Sequence, residues 1–418
     1  MSQAQTNSSV RRRRVFYIPG YDPIHPRRYR ELYRKESVKQ AKISGYEIGI
    51  AAKQGGERYG WRAAAKIDGA TTVADIEVLA WSDIVRDSMS NSIPATYWQL
   101  LRTSWTYIAS GALRRLMWLR KGPVIAALYP VGMLLGQLLL ALLLGALFAR
   151  VLEWGINLPA AYFGWPIAFP WFVTWPIILA VGVYVLRWFH GKDGKFYAYY
   201  LMHDYAYSAR WKGANPPALE ARMAEFKETI AEALRSDVDE VLVVGHSSGA
   251  HLGASVLADV IRDCDVPASG PKLAFLSLGQ VVPMVSFLPK ADRLRSDLAY
   301  LSERSELTWV DITAPGDGCA FALCDPVAVT GVATAKKRWP LVLSAAFTKT
   351  LSPERWKELR WRFFRLHFQY LCAFDKPDHY DYFQITCGPV TLAERYDGRK
   401  PSNSRIDVAA SKYTSVAA

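Results

Sequence analysis

The stretch Glu240-Val241-Leu242-Val243-Val244-Gly245-His246-Ser247-Ser248-Gly249-Ala250-His251-Leu252-Gly253-Ala254 decides how this chain is read. Glu240–Val244 is a short run of strand type, and Ala250 to Leu257 has the apolar density of a buried helix. Between them stands Gly-x-Ser-x-Gly. A turn that passes so abruptly from strand to helix needs small residues beside the serine, and it lifts the hydroxyl clear of the backbone. Strand, motif, helix is the context that gives the pattern chemical meaning. Elsewhere the same five residues would be a glycine-rich turn.

Working outward, strands are expected at Arg14–Ile18, Tyr46–Ala52, Tyr59–Ile67 and Val73–Trp81 before the motif. After it they are expected at Lys272–Leu278, Leu307–Thr313, Leu341–Ala346 and Tyr382–Thr386. Tyr46–Ala52 and Tyr59–Ile67 read as an antiparallel pair joined through Gln54-Gly55-Gly56. Helices are expected from Arg27 to Lys42, Pro217 to Leu234, Pro289 to Glu303 and Pro353 to Leu366, with an aromatic-rich one from Ala95 to Arg120. Strands alternating with helices at this spacing predict an α/β fold, a mostly parallel sheet with helices on both faces. Residues 1–13 read as a disordered basic tail and 401–418 as a flexible one. The apolar run after Arg13-Arg14 is too short for the core of an export signal.

The sheet pattern is interrupted. No charged residue occurs from Gly122 through Ala149, nor from Trp154 through Leu186. Crossing a bilayer takes about 20 apolar residues, so 122–189 predicts a two-helix transmembrane hairpin. A buried or re-entrant hairpin is the alternative. The second run carries Pro159, Pro166, Pro170 and Pro176, so its helix is expected to start near Pro166 and end near Arg187. Arg114, Arg115, Arg120 and Lys121 precede the first run, and Arg187, Lys192 and Lys195 follow the second. The positive-inside rule then puts both flanks and both termini in the cytoplasm, at a bacterial-type inner or plasma membrane. Residues 14–121 and 190–400 become two parts of one cytoplasmic domain, with the lipid bilayer as partner.

A net charge of +13 over 418 residues is scattered apart from Arg11–Arg14, and no nucleic-acid-reading module accompanies it. No nucleic-acid partner is expected. Five cysteines (264, 319, 324, 372 and 387) are odd in number and form no C-x-x-C pair, which argues against a disulfide framework or a zinc site and fits a reducing compartment. No metal or cofactor is expected.

A serine hydroxyl attacks well only when a histidine takes its proton and an acid holds that histidine. Asp317, in the turn Pro315-Gly316-Asp317-Gly318 after a strand, is the expected acid; Asp311 and Asp325 are weaker candidates. His25, His190 and His203 precede the serine, His246 lies inside the motif and His251 one helical turn beyond it. That leaves His367 first and His379 second as the base. The oxyanion would be held by the Ser248 amide and by the Tyr21 amide in the loop Ile18-Pro19-Gly20-Tyr21-Asp22, Gly20 allowing close approach.

Tyr17-Ile18-Pro19-Gly20-Tyr21, Gly245-His246-Ser247-Ser248-Gly249, Asp317 in a post-strand turn and a histidine near the C-terminus together resemble the α/β-hydrolase superfamily, in particular its lipase-like and esterase-like members. Pro19 stands where many such enzymes carry histidine. The resemblance spans both sides of the apolar hairpin, which would be an insertion in one catalytic domain. It implies a serine hydrolase cleaving a carboxylic ester or related acyl bond through an acyl-Ser247 intermediate, and it implies no particular substrate; the membrane anchor beside the aromatic helix from Tyr97 to Trp118 points to lipid-like esters. Acyl transfer or thioester cleavage at the same site, and a catalytically silent membrane scaffold, are the other readings open to the sequence.

Overall fold

Apolar side chains alternate along the strands, and the alternation sorts them onto two faces of one sheet. The computed structural model describes residues 10–53, 55, 58–89, 92–165, 167–264, 266 and 269–417. Its strands are β1 (Arg12–Ile18), β2 (Glu47–Ala52), β3 (Gly60–Ile67), β4 (Ala70–Val78), β5 (Glu240–His246), β6 (Lys272–Leu278), β7 (Leu307–Thr313) and β8 (Leu341–Ser344). They lie in the order β2-β3-β4-β1-β5-β6-β7-β8. β3 is antiparallel to both β2 and β4, and every other neighbouring pair is parallel. The fold is therefore α/β around one mixed, mostly parallel eight-stranded sheet.

The helices used below are α1 (Arg27–Ser44), α2 (Ile93–Ala109), α3 (Ala112–Leu119), α4 (Lys121–Tyr162), α5 (Trp171–Gly191), α6 (Ala198–Arg210), α7 (Pro217–Leu234), α8 (Gly249–Asp263), α9 (Asp292–Ser302), α10 (Pro353–Leu359), α11 (Phe363–His367) and α12 (Tyr382–Cys387). Val15, Tyr17, Leu242, Val244, Leu276 and Val310 face a core that includes Tyr29 and Tyr33 of α1 and Phe383 of α12. The opposite face carries α8: a side chain at Gly253 would strike the Phe275 ring at 2.8 Å and approach Ile18 at 3.6 Å. Helix thus covers both faces, which is why Val15–Ile18 of β1 and Val241–Val244 of β5 are apolar at successive positions.

At the amino end of the two central strands, Arg13 Nε and Glu240 Oε2 lie 2.6 Å apart with both side chains buried. The remaining guanidinium nitrogens of Arg13 donate to the Gly388 and Val390 carbonyls, and Glu240 Oε1 accepts from the Leu392 amide. Every charged atom of the pair is satisfied, the condition under which a buried ion pair is tolerated.

By contact, the chain divides into two compact units. One takes the chain up to Asp87, Tyr107–Val124 and Trp211 onward; the other is Ser88–Thr106 with Ile125–Arg210. The first holds the sheet. In the second, α4 and α5 are long and apolar enough to cross a membrane. They approach closely at Gly145, where a Cβ would lie 2.7 Å from the Ile178 carbonyl oxygen. Ala141, Gly145 and Ala149 form a small-residue row at helical spacing, the kind that lets two backbones meet in lipid. Arg150 and Glu153 pair on α4 at 2.9 Å, and Asn157 bonds both the Ile167 amide and carbonyl, tying the link between the helices. Tyr97 and Leu100 of α2 pack on Leu134 of α4 and on Tyr199 and Met202 of α6.

Several expectations are corrected. Residues 10–13 are not tail: Val10 is buried, its amide donates to Pro389, and Arg12 and Arg13 belong to β1. Residues 1–9 lie outside the described residues, as do Gln54 and Gly56 of the hairpin link, Pro166 and Ala418. The helix expected over 95–120 is two, because Gly111 turns left-handed (φ 77°) between α2 and α3. The helix expected over 353–366 breaks at 360–362. Tyr382–Thr386 is helix, not strand: Asp381 caps it by accepting from the Phe383 and Gln384 amides. The first apolar helix runs through Arg150 and Glu153 to Tyr162, and the second starts at Trp171. Residues 401–417 are held in place, since Ser402 donates to Val342, Ile406 to Leu323 and Ala410 to Val329, and Asp325 donates to Ile406.

Candidate active site

β1 and β5 are parallel neighbours whose chains leave for opposite faces of the sheet, β1 toward α1 and β5 toward α8. Diverging connections leave a crevice beyond the carboxyl ends of the two strands, the place where open α/β sheets hold ligands. Ser247 stands there. Its φ is +58°, a left-handed conformation that costs a non-glycine residue energy and survives only where the surroundings enforce it. The enforcement is visible. The Ser247 amide donates to Leu278 of the neighbouring strand at 2.9 Å. A Cβ at Gly245 would lie 2.5 Å from the Gly249 oxygen, and one at Gly249 would lie 2.0 Å from the Ile18 oxygen. The two motif glycines are thus required by backbone packing against the helix and against β1.

The loop after β1 reaches the serine. A Cβ at Gly20 would sit 3.0 Å from Ser247 Cβ and 3.3 Å from its Oγ. Trp81 Nε1 donates to the Pro19 carbonyl, and the Tyr21 ring meets the Trp81 ring edge-on. Asp22 fixes the far end by accepting from the Ile24 amide, Arg28 and the Tyr29 hydroxyl. Ser248 is the N-cap of α8, so its amide lies where a helix leaves N–H groups without intrahelical acceptors and carries partial positive charge.

Asp317, after β7, and His367, at the end of α11, meet at 2.7 Å through Oδ2 and Nδ1, both buried. Tyr370 donates its hydroxyl to the same carboxylate oxygen at 3.1 Å, and the Cys319 amide donates to Oδ1 at 2.9 Å. Burial alone would raise the Asp317 pKa. The charge on His367 and the hydrogen bonds from His367, Cys319 and Tyr370 outweigh it and hold the carboxyl below its ordinary value. With Nδ1 given to an ionised acid, the lone pair of a neutral His367 lies on Nε2.

His246, next to the serine, bonds through Nε2 to the His367 carbonyl oxygen at 2.9 Å, and the two imidazoles lie 4.8 Å apart. Burial lowers its pKa to about 3, so it stays neutral and donates from Nε2. Gly279 passes beside the same ring: a Cβ there would be 3.1 Å from His367 Cε1. Ser247, the Gly20 loop, Asp317 and His367 are thus linked through His246 and Gly279. Among the described residues no hydrogen bond joins Ser247 Oγ to His367.

The other candidates have other partners. His379 pairs with its neighbour Asp378 at 3.1 Å. Asp325 caps a short helix and pairs with Lys337. Asp311 is wholly buried and accepts from Ser277 Oγ, and burial raises its pKa to about 8. Sequence reasoning missed His246 and Tyr370. His246 was set aside because it neighbours the serine, and Tyr370, three residues after His367, carried no signal until the turn of chain brought it onto Asp317.

Asp317, Cys319 and His367 also place ligand-type atoms within 4.8 Å of one another. Compared with family models, with curated proteins and with solved structures, the chain matches none.

Proposed function

We propose that this protein is a membrane-anchored serine hydrolase of the α/β-hydrolase type, cleaving an ester or related acyl bond through an acyl-Ser247 intermediate. The observation that carries the reading is the buried Asp317–His367 pair joined through His246 to a strained Ser247. Ser247 Oγ attacks the carbonyl carbon and its proton passes to His367 Nε2. Asp317 holds the imidazole in the tautomer that accepts there and stabilises the imidazolium that forms. The tetrahedral oxyanion is received by the Ser248 and Tyr21 amides. Collapse breaks the bond to the leaving group, which takes the proton from His367. Water then attacks the acyl-serine by the same route in reverse. A thiol ester, or an acceptor other than water, would use the same groups.

α4 and α5 anchor the enzyme in this reading, with the sheet unit and both termini on the cytoplasmic side, as the Arg114, Arg115, Arg120 and Lys121 flank supports. The test is labelling of the full chain by a fluorophosphonate. The wild type should form a covalent adduct on Ser247 and Ser247→Ala should form none. That no hydrogen bond joins Ser247 Oγ to His367 among the described residues is the observation favouring the second reading, a silent scaffold. Folded wild-type protein that stays unlabelled would establish that reading in place of the first.

A further inference from the structure

We propose that the segment spanning α10 and α11, together with α3, is a docking collar for the surface of an anionic phospholipid leaflet, and that the ester substrate reaches the site from that leaflet. This rests on the reading of α4 and α5 as a membrane anchor, and it adds the partner and the source of substrate.

The break between α10 and α11 presents Trp361, 72 % exposed, and Phe363, 47 % exposed. Exposed aromatics of that size cost free energy in water and are stabilised at a membrane interface, where one face of the ring is buried in acyl chains. Arg360, Arg362 and Arg365 surround them and are exposed. Residues 353–367 carry five cations (Arg355, Lys357, Arg360, Arg362 and Arg365) against two carboxylates, Glu354 and Glu358. Glu358 is shared among Arg355, Arg362 and Arg365, so it cannot neutralise them. Arginine stems beside aromatic rings suit an interface, because the stem lies along apolar surface while the guanidinium reaches phosphate.

The same segment borders both the site and the root of α4. A Cβ at Gly318, one residue beyond Asp317, would meet the Phe363 ring at 3.3 Å, and one at Gly122 would lie 3.8 Å from the Gly318 oxygen. Arg120 donates to the Pro315 carbonyl at 3.5 Å, and Trp118 of α3 is exposed. The acid turn is thus bracketed by the first residues of the apolar helix and by the exposed aromatic pair. The start of α4 and the exposed Trp361 and Phe363 thus both border the turn that carries Asp317.

The full chain is reconstituted into lipid nanodiscs of phosphatidylcholine alone, or of phosphatidylcholine mixed with phosphatidylglycerol, and hydrogen exchange is followed in 353–367. Exchange should slow about fivefold or more in the anionic discs, as three arginines near an anionic surface require. Arg360→Glu/Arg362→Glu/Arg365→Glu should abolish the difference while β5 exchanges as in the wild type. The same exchange in both discs, fast or slow, overturns the proposal and leaves the anchor standing. Protein that incorporates into neither disc overturns the anchor and the proposal together.

Discussion

At Asp317 three hydrogen bonds converge on one carboxylate, and two of the donors, Cys319 N–H and Tyr370 O–H, do nothing in the proposed chemistry except hold it. Tyr370 is therefore a positioning residue. Tyr370→Phe should lower kcat for a soluble ester about tenfold with KM little changed, the loss of one hydrogen bond to a charged group; steady-state kinetics on the two proteins would check it. Asp311 gives a pH signature of another kind. Its carboxyl is buried, its Oδ2 has no partner among the described residues, and its pKa is raised to about 8. The folded protein therefore holds a proton that the unfolded chain has already released. Asp311 contributes stability fully present below about pH 4, and that contribution is lost as pH rises toward 8. His246 and His251, lowered to about 3 and about 4, act in the opposite sense, but only below about pH 6.5. Between about pH 6.5 and 8 the melting temperature of the wild type should fall relative to that of Asp311→Asn, and parallel curves would count against the buried carboxyl. At this scale the motif serine and its two glycines were legible, because local geometry demands them, and Asp317 stood out as the aspartate of a turn directly after a strand. His246 and Tyr370 were not, because their partners lie 121 and 53 residues away.

Among the elements, β1 and β5 matter most, because the loops at their carboxyl ends carry Gly20 and Ser247. Arg13 and Glu240 pin the other ends of these strands. Arg13→Met would leave Glu240 buried and unpaired, and should cost about 3–5 kcal/mol. Arg13→Met/Glu240→Met should recover most of that loss, which denaturant unfolding of the two variants in detergent would measure. Strands with continuous apolar runs were read correctly, and β6 and β7 begin and end where their sequences say. Tyr382–Thr386 was misread because aromatic and β-branched residues favour strands, yet the Asp381 cap made a helix of them. Arg11–Arg13 read as a basic tail because charge in sequence says nothing of a partner more than two hundred residues away. Arg12 meets Asp237, Arg13 meets Glu240 and Arg14 meets Glu77, so these three arginines are spent on ion pairs along β1.

For the molecule as a whole, chain order put the Gly20 loop, Ser247, Asp317 and His367 far apart, and the sheet draws them together. β1 beside β5 brings Gly20 to Ser247, and β7 with the segment after β8 brings Asp317 to His367. That the Gly20 loop would meet Ser247 was expected from the motifs and the resemblance they carry, not from chain order, where β1 is the first strand and β5 the fifth, with α4 and α5 between them. The alternation of strands and helices was enough to expect the layered α/β form, but the strand order is a tertiary property. The central claim is that His367, oriented by Asp317, is the base for Ser247. Its most direct test is the rate at which a fluorophosphonate modifies Ser247 in His367→Ala and His379→Ala, measured side by side in the full chain. His367→Ala should react about a thousandfold more slowly than the wild type, the scale of loss when a triad member is removed, and His379→Ala should react at the wild-type rate. Equal rates for His367→Ala and wild type, or a loss confined to His379→Ala, would contradict the assignment.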